Sequence, residues 1–158
     1  MTSQKLTGRV VSTTGTWNRV YATDYKEYEC SVRGRFKVES GLNATHPVTV
    51  GDHVIFEPEA KANRGVIEEI DERKNYMIRK SPRKPKHVHI IAANIDQAAV
   101  VATVDYPRVK QGFIDRFLVT AEAYDIQPFI ILNKDDCYTD KLRARRDNWA
   151  KLYQCLGY

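Results

Sequence analysis

Hydrophobic and polar residues alternate through most of the first 80 positions, then give way to continuous apolar runs and helical spacing. Leu6 to Ser12, closed by Thr13-Thr14-Gly15, and Trp17 to Thr23 read as strands. In a third strand Tyr28, Cys30 and Val32 share one face, Glu29, Ser31 and Arg33 share the other, and Gly34 ends it; a half-buried strand has this period of two. An irregular piece follows with Gly41 and His46-Pro47. Val48 to Val50 then leads through a Gly51-Asp52 turn to a strand at His53 to Glu57, and Gly65 opens Val66 to Ile70. Five short strands with one irregular insertion between the third and fourth predict a small barrel, the OB-fold first and an SH3-like barrel second.

The segment Arg79 to Lys86 holds Pro82, Pro85 and the cations Arg79, Lys80, Arg83, Lys84 and Lys86, so neither sheet nor helix is expected to run through it. The domain boundary is placed there, with a barrel over 1–80, a basic linker over 81–92 and a second domain over 93–158. In that second domain Ala98 to Val104 is a continuous apolar run suited to burial on both faces of a parallel sheet. From Gly112, Phe113, Phe117, Ala121 and Tyr124 recur at helical spacing beside Ile114 and Leu118. Phe129 to Leu132 is the next buried strand. Asp140 is a candidate cap for a second helix whose Leu142, Trp149, Leu152 and Leu156 share a face, and Gly157 is a natural stop. The order strand, helix, strand, helix normally continues for several more units, so the chain reads as the front part of a longer protein.

Composition narrows the class. With 158 residues, 42% of them hydrophobic and 28% charged, the chain is long enough for one compact domain or two small ones and is balanced as folded proteins are. No stretch approaches the roughly 18 apolar residues of a membrane span, and the start lacks the apolar core of a secretory signal. Cys30, Cys137 and Cys155 are far apart and form no C-x-x-C pair, so neither a disulfide framework nor a zinc site is expected. A cytoplasmic location fits best, without a membrane partner.

The net charge of +5 lies wholly in the first part: residues 1–92 carry 16 Lys and Arg against 11 Asp and Glu, while 93–158 carry 9 against 9. Arg73, Lys74, Arg79, Lys80, Arg83, Lys84 and Lys86 form a run with no acid among them. Such a block suits either a phosphate-rich partner or a solvated linker.

The second apolar strand runs directly into Asn133-Lys134-Asp135-Asp136, which reads N-K-x-D. Asp136 offers a carboxylate to the guanine N1 and N2 groups, Asn133 an amide to the opposite base edge, and Lys134 a stem along the base plane. Adenine has no N1 proton and would leave the carboxylate unpaired, which is how a hydrogen-bonding site rejects an analogue. Ligands of open α/β sheets sit outside the carboxyl ends of strands, where this motif lies. None of the eight glycines is followed by lysine, so the phosphate loop G-x-x-x-x-G-K-[ST] is absent and the chain alone is expected to be inactive, with no catalytic residue to name.

Finding N-K-x-D in the first βαβ unit, behind a barrel, implies a circularly permuted order. Here the chain resembles the ribosome-small-subunit-dependent GTPase A (RsgA, or YjeQ) family. The likeness is carried in order by Gly8-Arg-Val-Val11, Cys30-Ser-Val-Arg-Gly-Arg35, Pro47-Val-Thr-Val-Gly-Asp-His-Val54, Gly65-Val-Ile-Glu-Glu-Ile70, Ala93-Asn-Ile-Asp-Gln97, Ile114-Asp-Arg-Phe-Leu118 and Ile131-Leu-Asn-Lys-Asp-Asp136. The resemblance implies an N-terminal OB-fold, a circularly permuted GTPase domain that uses GTP and Mg2+, and a C-terminal domain holding Zn2+. It also implies action late in maturation of the small ribosomal subunit, with ribosomal RNA as partner and no DNA. In that family the guanine motif usually continues with an aliphatic residue, where Cys137 stands here.

The expected guanine contacts are Asn133, Lys134 and Asp136. The expected RNA contacts are Arg33, Arg35 and Lys37 on the barrel, with Arg79, Lys80, Arg83, Lys84 and Lys86. Trp17, Tyr21, Tyr25 and Tyr28 are candidates for stacking bases, although at strand spacing at least half of them are expected in the core. Cys30 reads as barrel core, and His46, His53, His87 and His89 lack the spacing of a metal site. Asp115-Arg116 reads as an exposed or interdomain ion pair. The competing function is a stand-alone RNA- or protein-binding module in which Asn133 to Asp136 is only a turn.

Overall fold

The computed structural model describes residues 4–34, 47–59, 62–80 and 88–158. The chain divides into two compact units, Met1–Ile95 and Asp96–Tyr158.

The first unit is built on β1 (Leu6–Thr14), β2 (Trp17–Ala22), β3 (Glu27–Val32), β4 (His53–Pro58) and β5 (Arg64–Ile70). They close in the order β1-β2-β3-β5-β4, and β4 pairs back onto β1. Only the β3–β5 pair among these is parallel. This is the OB-fold expected from the alternation. Inward positions build the core: Val10, Val20, Ala22, Tyr28, Cys30, Val54, Phe56 and Ile67 pack together with Val48. The Tyr28 and Phe56 rings meet at 5.1 Å, tilted by 54°. Bulges between Val10 and Ser12 and between Ile55 and Phe56 shift the register, as curving a sheet into a barrel demands.

Of the 79–86 segment, through which neither sheet nor helix was expected to run, Arg79 and Lys80 end a strand and 81–86 lie outside the described residues. β6 (Tyr76–Lys80) pairs antiparallel with β7 (Val88–Ala93), from Tyr76↔Ala93 to Lys80↔Val88. This places strand in much of what reads as a linker over 81–92, and the first unit extends to Ile95. The apolar runs Tyr76-Met-Ile and Val88-His-Ile-Ile have strand character that outweighs the basic residues between them.

The hairpin is fastened to the barrel at the Gly51-Asp52 turn. Gly51 N donates to Val10 O at 2.8 Å, Ala93 N donates to Val50 O at 2.8 Å, and Asn94 Nδ2 donates to Gly51 O at 3.0 Å. Gly51 has φ +93, and a Cβ there would stand 1.9 Å from Ala93 O, so only glycine fits both the conformation and the space. Asp52 is fully buried. Arg73 Nε and Nη2 donate to its two oxygens at 2.7 and 2.8 Å, Thr49 N donates to Oδ2 at 2.8 Å, and Arg73 Nη2 also reaches Pro47 O at 3.0 Å.

In the second unit β8 (Gln97–Ala102) pairs parallel with β9 (Gln127–Leu132), joined through α1 (Gln111–Ala123) and followed by α2 (Asp140–Cys155). Val100, Ala102, Val104, Ile114, Leu118, Tyr138, Trp149 and Tyr153 form one core, so both helices cover the same face of the sheet. The two-sided burial expected of β8 is therefore not observed: Val101, Phe129 and Ile131 are exposed on the other face. The helix faces match the expectation at Ile114, Leu118, Ala121, Trp149, Phe117 and Leu142 and depart from it at Phe113, Leu152 and Leu156. In α1 the buried stripe is Ile114, Leu118 and Ala121, with Phe113 exposed; in α2 it is Trp149 and Tyr153, with Leu152 and Leu156 exposed. Tyr153 takes the inward place because its ring fills the core while its hydroxyl donates to Asp115 Oδ1 at 2.8 Å, which gives Asp115 a partner other than Arg116. Burial first, then the Asp115 carboxylate, pushes the Tyr153 phenol up to about 12. Thr139, not Asp140, is the N-cap of α2. Gly157, at φ +94, follows the C-cap Leu156 as expected.

Arg73→Ala is expected to lower stability by about 3–5 kcal/mol, because it strands the Asp52 charge in a site with no solvent. The measurement is the urea midpoint of the chain; a shift worth under about 1 kcal/mol would show that the pair does not carry the junction.

Candidate functional site

The parallel pairing of β8 and β9 runs one residue past the strands, where Asn133 N donates to Ala102 O at 2.9 Å. Lys134 then adopts a left-handed conformation, φ 65 and ψ 34, and Asp135–Cys137 forms a single 3-10 turn. The turn is held from below by Tyr138, which is 5% exposed. Its hydroxyl donates to Asn133 O at 2.7 Å and accepts from Val104 N at 2.9 Å, so one oxygen ties together the segments leaving both strands. Asp135 accepts from Arg146 Nη1 at 2.6 Å and is thereby anchored to α2.

Asn133, Lys134 and Asp136 are exposed at the carboxyl end of the sheet. Asn133 Oδ1 accepts from Lys134 N at 2.8 Å. The Lys134 ammonium donates to Tyr106 O at 2.6 Å, in a loop closed by Val109 N to Thr103 O at 3.1 Å and by a bond from Thr103 Oγ1 to Pro107 O. Cys137 is exposed, and its Sγ donates to Asp136 Oδ2 at 3.4 Å; that bond pushes the thiol above its ordinary range. The turn presents an amide, an aliphatic stem and a carboxylate on one exposed edge of the sheet end. Sequence reasoning missed Tyr138, Arg146 and Tyr106. For Tyr138 the one available signal is an aromatic residue in an otherwise polar turn.

Of the basic candidates Arg33, Arg79 and Lys80 lie among the described residues. Arg33 Nη1 pairs with Glu68 at 2.5 Å, and Lys5 Nζ reaches the other Glu68 oxygen at 2.8 Å. The Lys5 hydrogen bond, with help from the charges of Arg33 and Lys5, holds the Glu68 carboxyl below the ordinary range. Arg79 is exposed on β6 opposite His89, and Lys80 ends that strand. Arg35, Lys37, Arg83, Lys84 and Lys86 lie outside the described residues, as do His46 and His87. Arg73 is withdrawn from the basic run by Asp52. Cys30 has no exposure, and burial pushes its thiol up to about 12, so it is core. Of the four aromatic candidates only Tyr28 is buried; Trp17, Tyr21 and Tyr25 are exposed, against the expectation that at least half would be core. Among the described residues no group of three His, Cys, Asp or Glu side chains is arranged to hold a metal ion, and no helix is long and apolar enough to cross a membrane.

An OB barrel followed by a parallel β-α-β-α unit with N-K-x-D at its sheet end is the order of elements at the front of a circularly permuted GTPase fold. The chain belongs to the RsgA GTPase family, which matches residues 70–158, and the RsgA N-terminal domain matches residues 7–67. It is 46% identical over 153 residues to a small ribosomal subunit biogenesis GTPase RsgA of Christiangramia forsetii, and 42% identical over 153 residues to one of Bacteroides fragilis; each alignment covers 96% of this chain and 48% of the relative. Among solved structures it is similar to YloQ, described as a circularly permuted GTPase, with 29% identity and a TM-score of 0.70, covering 98% of this chain and 50% of that one. It is also similar to YjeQ from Thermotoga maritima, with 27% identity and a TM-score of 0.74, covering 97% and 50%. The chain thus spans about half the length of these relatives.

Tyr138→Phe is expected to cost about 1–3 kcal/mol by leaving Val104 N and Asn133 O short of a partner. Amide hydrogen exchange should speed at Val104 before it speeds in α1; unchanged exchange there would show that the hydroxyl does not hold the turn.

Proposed function

We propose that this chain is the RNA-contacting and guanine-reading front half of a cytoplasmic GTPase that acts in maturation of the small ribosomal subunit. The observation that carries the reading is the exposed Asn133-Lys134-Asp136 edge, held on a turn whose backbone is engaged by Tyr138 and Ala102 O and whose Asp135 side chain is tied to Arg146. In this reading Asp136 accepts from the guanine N1–H and N2–H groups, Asn133 engages the opposite edge, and the Lys134 stem lies along the base. Mg2+ and the phosphates are held by other parts of the complete protein, since no phosphate-loop sequence occurs in these 158 residues, and Zn2+ is assigned to none of the residues here. The chain alone therefore binds without hydrolysing: phosphate release above a mock preparation, abolished by a guanine-motif substitution, would overturn this.

Asp136→Asn in the complete protein is expected to weaken GTP by about tenfold to a hundredfold, the roughly 1.5–3 kcal/mol of a charge-assisted hydrogen bond. It should favour xanthine nucleotides, because an amide donates to the xanthine C2 oxygen where the carboxylate accepted from guanine. Competition binding with both nucleotides tests it; unchanged GTP affinity would mean that the base sits elsewhere.

The RNA half of the reading is supported by the OB-fold and by the excess of cations in residues 1–92. Arg33, Arg35 and Lys37, with Arg79, Lys80, Arg83, Lys84 and Lys86, are the proposed phosphate contacts to ribosomal RNA. If about five contacts form, log K falls against log salt with a slope of roughly −3.5 to −4.5. Reversing Arg83, Lys84 and Lys86 to Glu should flatten that slope and weaken all RNAs alike, since phosphate contacts carry no sequence information. Identical slopes in a salt titration of parent and triple variant would mark the block as a solvated segment.

A further inference from the structure

Large aromatic side chains on a barrel exterior need a reason, since apolar residues at inward positions already fill the core. On β2 the outward positions are Trp17, Arg19 and Tyr21, with Asn18, Val20 and Ala22 buried between them. Trp17 is 41% and Tyr21 45% exposed. Alternate residues of a strand stand about 6.6–6.8 Å apart on one face, so the row presents an indole, a guanidinium and a phenol in even steps. The Arg64 guanidinium lies 5.3 Å from the centre of the Trp17 ring and stiffens it. Arg9, paired across β1 with Tyr21, adds a further cation at the far end.

We propose that this row is a stacking surface for unpaired bases of single-stranded RNA, a proposal that rests on the reading of the first unit as an RNA-binding barrel and names the face and the form of RNA it takes. Every exposed group in the row has a flat π or guanidinium surface, the feature that accepts bases without regard to sequence. The neighbouring charges shape the mode of binding. Arg19 pairs with Glu27 at 3.9 Å and Arg64 with Glu29 at 4.0 Å, all four side chains more than half exposed. Such pairs are weakly held and exchange readily for a phosphate. Because the two acids nearly balance the cations, stacking supplies the affinity on this face and counterion release supplies little. A 440 Å³ depression bordered by Arg19, Glu29 and Arg64 beside the row gives a sugar or an unstacked base somewhere to sit.

The test uses the 158-residue chain with a uridine-rich single-stranded RNA dodecamer and a fully paired RNA hairpin. Trp17→Ala and Tyr21→Ala are each expected to weaken the dodecamer by about tenfold, within the range of one base–aromatic stack, with little effect on the hairpin and an unchanged salt slope. Trp17→Phe should keep most of the affinity. Trp149, the second tryptophan, is buried in the other unit, so quenching of tryptophan fluorescence by the dodecamer should vanish in Trp17→Phe. Far-UV circular dichroism and melting of the variants, expected to match the parent, separate loss of binding from loss of fold. Unchanged dodecamer affinity in Trp17→Ala, or quenching that persists in Trp17→Phe, overturns the proposal and leaves the row to a protein partner. In that event a retained salt-dependent affinity for the hairpin would show that the RNA-binding reading of the unit still stands, whereas no binding to either RNA overturns both.

Discussion

A carboxylate with no exposed surface is the constraint on which the first unit depends. Asp52 stands just before β4, and its neutralising guanidinium is 21 residues away, beyond β5. The pair can form only when β4 and β5 have both been laid down, so it is an interaction of the finished fold. It is also well satisfied: both carboxylate oxygens take Arg73 donors and one takes Thr49 N as well. Replacing such a pair with well-packed apolar groups can be neutral, whereas removing one member is not. What the pair contributes here is position. It fixes the residues between β5 and β6 against the Gly51 turn, and that turn receives β7 through Ala93 and Asn94.

Much of the barrel could be read from the sequence because strands with one wet and one dry face carry a period of two. Tyr28 and Cys30 are inside and Glu29 is outside, as the alternation implies. The hairpin was hidden because its strands are short and flank a segment rich in prolines and cations, so a reading by composition sees a linker. The helix faces were read correctly at Ile114, Leu118, Ala121 and Trp149 and wrongly at their margins. Phe113 and Leu156 look like core by hydropathy. The contacts prefer Ile114, and prefer Tyr153 because a phenol can fill apolar space while its oxygen reaches a partner. Arg73 shows the same limit for charge: within its run it looks like one more phosphate ligand, and only the pairing with Asp52 reveals that it faces inward.

The N-K-x-D turn at the end of a strand was legible in the sequence, but its support was not. Asn133, Lys134 and Asp136 announce themselves because their chemistry is tied to an order of four letters. Tyr138 has no such signature, since its role depends on Val104, 34 residues earlier in the chain. Long-range hydrogen bonds of this kind come from topology, and a period or a motif does not encode them. The aromatic candidates failed in the opposite direction. Strand spacing assigned at least half to the core, yet β2 turns Trp17 and Tyr21 outward while Val20 and Ala22 take the interior.

The turn that carries the guanine motif separates support from recognition. Its backbone groups are engaged by Tyr138, by Ala102 O and by the 3-10 turn itself, and its variable residue Asp135 is spent on Arg146. In the proposed reading a base arriving at Asp136 need not order the backbone of this turn, which lowers the ordering cost of binding. In that reading selectivity falls on the carboxylate, because a purine without the matching donors leaves it without its hydrogen bonds. Among the described residues the Cys137 thiol donates to Asp136 at 3.4 Å, a weak donor in a long bond. In the proposed reading its loss on binding guanine costs little, so an aliphatic residue and Cys137 can serve alike at this position.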